Sequence, residues 1–242
     1  MKNFFTIIGG MGTEATETFI HILNERTPAK RDQDYLNYIL INHSTVPDRT
    51  DYILDHRKPN PFIPLAEDIR QQSRLGPEFF VIPCNTAHYA FDDLQALTSI
   101  PILHMPRETV KDIKNMMPDA KRVGLIATRG TLHDGIYDRE IRNAGYEVVK
   151  PDEKTAEGTM TLIYDDIKGK NQVDPDLYHH ILSTMVDQLA CDIVILGCTE
   201  LSVAQQRAGN HPYPVIDAQT VLADRTLELA LKNRQTADKA VD

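Results

Sequence analysis

The sequence predicts an α/β protein made of two similar α/β subdomains. Each is a parallel four-stranded sheet with helices packed on it, the two are related by a pseudo-twofold duplication, and the functional cleft lies between them. Three observations predict this. Strand-type and helix-type patterns alternate along the chain, which implies βαβ units and a parallel sheet. Two stretches recur at nearly the same offset: Ile7-Ile8-Gly9-Gly10-Met11-Gly12-Thr13 with Leu125-Ile126-Ala127-Thr128-Arg129-Gly130-Thr131, and the segment ending in Cys84 with the one ending in Cys198. Both of those cysteines stand where an apolar run hands over to a helical pattern.

The elements follow in order. Residues 4–8 are an aromatic and β-branched run closed by Gly9-Gly10, and therefore read as a strand. A helix follows, with Ala15, Phe19, Ile22 and Leu23 on one face at a spacing near 3.6. Further strands are expected at 36–41, at 79–82 (stopped by Pro83) and at 102–104. Ala87, Ala90, Phe91, Leu94 and Leu97 give the helix after Cys84 its apolar face. The second set of strands is 123–127, 147–149, 193–196 and 215–216. The boundary between halves falls near 116–121. This divides the chain into 1–116 plus 218–242 and 117–217, with a closing helix at 220–231 packing back on the first half. The polar tail from Lys232 is expected to fray.

Composition narrows the function. The 242 residues are 41% hydrophobic and 25% charged, enough for real cores, and the net charge is −9. That field disfavours nucleic acid and anionic membranes as partners, and an anionic substrate needs a local basic pocket. No apolar run approaches the ~20 residues that span a bilayer. The three cysteines, Cys84, Cys191 and Cys198, form no CxxC and no disulfide framework, which fits a reducing cytoplasm. The nine histidines have no metal-ligand spacing, so no metal is expected.

Cysteine is common as a small buried hydrophobe, and Cys191, ahead of its strand, fits that reading. Cys84 and Cys198 lie instead at the carboxyl ends of strands, where open α/β sheets bind ligands. A helix N-terminus there is expected to favour the thiolate. Gly9-Gly10-Met11-Gly12-Thr13-Glu14-Ala15 is a weak match to a dinucleotide fingerprint. The acid it requires after the next strand is missing, so a backbone nest for a smaller anion such as a carboxylate is the better reading. In Pro47-Asp48-Arg49-Thr50, Asp48 is a candidate N-cap. Arg49 reads equally well as a carboxylate ligand at the cleft or as a surface arginine paired with Asp48 or Asp51. Lys168, on spacing alone, is an exposed helix lysine.

Taken together, Gly9-Gly10-Met11-Gly12 with Ala15-Thr16, Pro47-Asp48-Arg49-Thr50, Pro83-Cys84-Asn85-Thr86-Ala87-His88 and Leu196-Gly197-Cys198-Thr199-Glu200-Leu201 resemble the aspartate racemases of the aspartate/glutamate racemase superfamily. The resemblance spans almost the whole chain in the family's order. It implies a cofactor-independent enzyme, with no pyridoxal phosphate, that is usually a homodimer. It assigns proton transfer to Cys84 and Cys198. It places the amino acid against Met11, Asn85, Thr86, Ala87, Thr199 and Glu200, with Arg49 and Lys168 on its carboxylates. Glutamate-dedicated relatives open with an Asp-Ser-Gly type loop, so Gly9-Gly10-Met11-Gly12 favours aspartate. Thr13, where the loop commonly carries proline, is a departure of little expected consequence.

The expected chemistry is interconversion of L- and D-aspartate, one cysteine taking the α-proton and the other returning one to the opposite face. A racemase of broader range, a diacid isomerase or a decarboxylase would use the same fold. A binding module that senses an amino acid without turning it over, and a thiol redox pair, are the rival classes. The two thiols weigh against the first and the missing CxxC against the second.

Overall fold

The structure, a computed structural model, describes residues 1–239. Among these residues there are two parallel sheets. The first holds β1 (Phe5–Gly9), β2 (Tyr38–Asn42) and β3 (Phe80–Val81) in the order β2-β1-β3. The second holds β4 (Arg122–Ile126), β5 (Glu147–Val149), β6 (Ile193–Leu196) and β7 (Val215–Asp217) in the order β5-β4-β6-β7. The orders coincide if β1 is laid on β4, β2 on β5 and β3 on β6. This is the two-sheet α/β fold that the duplicated pattern predicts.

The first sheet departs in one detail. The strand expected at 102–104 is reduced to a single parallel bridge between Phe80 and Ile102. Pro101 has no N–H to extend the ladder. Beyond it the chain turns away, because His104 caps the helix Met105–Met116, its Nδ1 accepting from Arg107 N at 3.1 Å. The helix expected after Cys84 is also broken. Thr86–Ala90 is a 3-10 turn, and only Phe91–Gln95 is α-helical.

The central strands β1 and β6 are buried on both faces, as parallel strands covered by helices must be. The helix Thr13–Arg26 buries Ala15, Phe19, Ile22 and Leu23, the predicted face. The closing helix runs from Ala218 to Lys239 and packs on Thr13–Arg26 and Met105–Met116, both in the first half. The tail is not frayed at its start. Arg234 donates to the carbonyls of Asp34 and Tyr35, and Asn233 to Glu78, so residues 232–239 stay helical. The rest of the expected tail, 240–242, lies outside the described residues. Among the described residues no helix is long and apolar enough to cross a membrane.

The halves meet where their first loops face each other. The helix Arg49–Leu54 packs against Arg129–Asp134. A Cβ on Gly130 would stand 2.8 Å from Thr50 Cα, so only glycine permits that approach. Thr86, Thr128 and Thr131 join the halves through a buried ring of hydroxyls, with Oγ1 separations of 2.9–3.2 Å.

Candidate active site

The site is built from the carboxyl ends of the strands. Cys84 follows β3 and Pro83. Cys198 follows β6 and is the N-cap residue of the helix Thr199–Arg207. Both are buried free thiols, and both line one closed hollow of about 10 Å³. Met11, Arg49, Asn85, Thr86, Lys168, Thr199 and Glu200 line it with them. An outer cavity of about 370 Å³ adjoins it and shares Met11, Arg49, Lys168 and Glu200. Of the residues expected at the site, only Ala87 lies elsewhere. Its side chain is buried in the apolar cluster with Leu65, Ile69 and Ile82.

Arg49 is placed by its own loop. Asp48 accepts from Asp51 N at 3.0 Å and starts the helix Arg49–Leu54. The Arg49 guanidinium then donates to the carbonyls of Val46, Pro47 and Met11. It forms no ion pair among the described residues, which removes the surface reading. Its Nε is buried without a hydrogen-bond partner, and so is Asn85 Nδ2. Two unmet donors on residues that line one hollow are costly unless a ligand supplies acceptors.

Lys168 is exposed as a residue, as its spacing predicts, but its ammonium engages the site. Its Nζ lies 3.7 Å from Glu200 Oε1 and 4.4 Å from the centre of the Tyr164 ring. The other Glu200 oxygen accepts from Cys198 Sγ at 2.9 Å. Tyr164 in turn donates to Asp48 at 3.2 Å, which ties the lysine segment of the second half to the arginine loop of the first.

A family model described as Asp/Glu/Hydantoin racemase matches residues 8–226. The chain belongs to this family. It is 26% identical over 231 residues to the broad specificity amino-acid racemase RacX of Bacillus subtilis (strain 168), covering 93% of this chain and 97% of that protein. The structure of the Picrophilus torridus aspartate racemase superposes with a TM-score of 0.79 at 27% identity, covering 94% of each chain. Glutamate racemase from Francisella tularensis subsp. tularensis SCHU S4, solved with D-glutamate, shares the fold at a TM-score of 0.66 and 17% identity, over 96% of this chain and 81% of that one.

In this member of the Asp/Glu/Hydantoin racemase family the electrostatics of the two thiols are set by their neighbours. Burial and the adjacent Glu200 carboxylate push the Cys198 thiol well above the ordinary range, against the pull of Lys168. The helix N-terminus expected to favour a thiolate is outweighed there. Burial works against the charge on Lys168, but Glu200 and Cys198 more than offset it and hold the ammonium. Burial opposes the Arg49 charge too, and Cys84 and Asp48 outweigh it.

Cys191 packs as expected: a Cβ on Gly124 would meet its sulfur at 2.8 Å. Burial raises that thiol to about 11. The glycine loop is used for packing. Gly10 has φ +90°, and a Cβ there would stand 2.5 Å from the His43 backbone.

Sequence reasoning missed Asp48 as a site group, along with Thr50, Thr128 and Tyr164, all of which line the hollow. Two signals were available. Tyr164 stands four residues before Lys168, on the same helical face. Thr128 is the duplicate of Gly10.

Proposed function

We propose that this chain is a cofactor-independent amino-acid racemase acting by two-base proton transfer between Cys84 and Cys198, with aspartate as its first substrate. One observation supports this reading most: two thiols from equivalent strand ends line one hollow that also holds unmatched donors on Arg49 and Asn85. A carboxylate supplies acceptors to such donors, and bidentate geometry suits arginine. The hollow has room for about one water, so an amino acid must part its walls and extend toward the outer cavity.

In the proposed cycle Cys198 rests as the thiol, held so by burial and Glu200, and Cys84, which lines the hollow with Arg49, serves as the base. Cys84 takes the α-proton from one enantiomer and Cys198 delivers its own to the opposite face. The reverse reaction exchanges the roles. The negative charge that develops on the substrate is stabilised by Arg49 and Lys168 in a site with little water. Met11, Thr86 and Thr199 orient the amino acid. The two halves, 1–116 with 218–242 and 117–217, act as the walls that part and close. Assembly as a homodimer and operation in the cytoplasm, where both thiols stay reduced, belong to the same proposal.

A broader amino-acid racemase is the second reading, favoured by the size of the outer cavity and its apolar Ile167 and Val203. Chiral chromatography after incubation with L-aspartate, L-glutamate and maleate, with no cofactor added, decides between them. D-aspartate as the dominant product supports the first reading. Comparable turnover of several amino acids supports the second. Conversion of maleate alone would overturn both.

A further inference from the structure

We propose that Tyr137, which no part of the catalytic scheme uses, is a positioning residue that sets the carboxylate-binding orientation of Asn85. The inference rests on the proposed function for the identity of the ligand. Tyr137 belongs to the second half, on the helix Ile136–Asn143, and Asn85 belongs to the first. Gly135, at φ +72°, turns the chain between that helix and Arg129–Asp134. The Tyr137 ring is fully buried in the apolar cluster with Met105, Val110, Ile113 and Ile141. Its phenol O–H reaches across and donates to Asn85 Oδ1. Burial pushes the phenol far above its usual range, so it keeps its proton.

An amide has an accepting end and a donating end, and a neighbour that claims one end decides which way the other faces. A buried phenol needs an acceptor for its proton, and Oδ1 supplies it. Nδ2 is then the end left without a partner, on a residue 2% exposed that lines the hollow. If the amide were free to turn, its carbonyl would face the ligand half the time and repel a carboxylate. Tyr137 removes that alternative. The second half thus presets a binding group carried by the first.

The test is a double-mutant cycle of Tyr137→Phe and Asn85→Ala, read in two ways. One is KM and kcat for aspartate racemisation. The other is calorimetric binding of succinate, a diacid that cannot racemise. Tyr137→Phe is expected to raise KM and to weaken succinate binding roughly tenfold, with kcat changed less than about twofold. The double variant is expected to bind no worse than Asn85→Ala alone, because Tyr137 acts through Asn85. Asn85→Asp keeps an acceptor for Tyr137 but turns an anionic oxygen toward the ligand. It should fold with reduced stability and lose succinate binding by more than about a hundredfold; succinate binding retained in Asn85→Asp would show that the free end of residue 85 does not meet the ligand and would overturn the inference even if Tyr137→Phe does not fold. Wild-type affinity in Tyr137→Phe, losses that add in the double variant, or a wild-type protein that does not bind succinate would overturn the inference. A wild type that binds succinate but does not racemise aspartate would overturn the proposed activity and leave the Tyr137 result standing.

Discussion

The thiol of Cys198 donates to Glu200 Oε2 at 2.9 Å, and the other oxygen of the same carboxylate faces Lys168 Nζ at 3.7 Å. A thiol beside a carboxylate keeps its proton, because a thiolate there would be a second buried anion. Glu200→Gln removes that repulsion and should bring the Cys198 pKa down. One unit corresponds to about 1.4 kcal/mol and a tenfold larger thiolate fraction. Alkylation of Cys198 by iodoacetamide at pH 8, followed by peptide mapping, should therefore speed up roughly tenfold. Lys168→Met should slow it. Cys191, raised by burial far from Glu200, is the internal reference and should not change. An unchanged Cys198 rate in Glu200→Gln would mean that Glu200 does not govern this thiol.

Arg49 donates from its terminal nitrogens to the carbonyls of Val46, Pro47 and Met11, and its buried Nε has no hydrogen-bond partner. Lysine keeps the charge but has neither the fork nor the reach to hold three carbonyls. Arg49→Lys is expected to raise KM for aspartate by roughly 10- to 100-fold, a loss of about 1.4–3 kcal/mol. Steady-state kinetics over a wide aspartate range check this. A wild-type KM would show that Arg49 does not meet the substrate.

The alternation of strands and helices and the two thiols were legible because their signals are local. Short apolar runs ended by glycine or proline mark β1, β3 and β6, and the duplicated pattern repeats them. The strand at 102–104 misled because its residues are strand-like while Pro101 and the cap made by His104 end the ladder, and those effects depend on neighbours. Lys168 was legible as an exposed lysine but not as a site residue, since its place at the hollow comes from Glu200 and Tyr164. Tyr137 carries no sequence signal at all: a tyrosine on an apolar helix face reads as core. Its meaning lies in one hydrogen bond across the halves. The helix-N-terminus argument for a Cys198 thiolate failed because burial and a like-charged neighbour outweigh a partial dipole charge.

Gly10 tests the loop that walls the outer cavity. Alanine there must adopt φ +90° and place its Cβ 2.5 Å from the His43 backbone, which no side-chain movement relieves. Gly10→Ala should destabilise the fold by about 2–4 kcal/mol, measured by urea denaturation. A loss below about 0.5 kcal/mol would contradict the geometry.

His104 sets an acid-side dependence. Burial, then the nearby His88 and Arg107, lower its pKa from 6.5 to about 3. Glu140 stands 3.9 Å away but is already engaged by Arg107 at 3.1 Å, so burial prevails. The unfolded chain binds a proton below pH 6.5 that the folded chain resists. Stability is therefore full above that pH and falls as the pH drops toward 3. Protonation also removes the Nδ1 acceptor that caps Met105–Met116. His104→Asn, which can cap without titrating, should reduce the slope between pH 7 and pH 5, with His88, also held below its ordinary range by burial, supplying what remains. Parallel slopes for variant and wild type in urea melts would show that another group is responsible.

The central claim is that two sulfur atoms serve one α-carbon from opposite faces. It is tested most directly by incubating L- and D-aspartate separately in D₂O with the wild type, Cys84→Ala and Cys198→Ala, and reading chirality and Cα deuterium together. The wild type is expected to yield both enantiomers with deuterium at Cα from either start, and each single variant to lose racemisation in both directions by more than about a thousandfold. A variant that still racemises both enantiomers, or a wild type that inverts the centre without taking up deuterium, would contradict it.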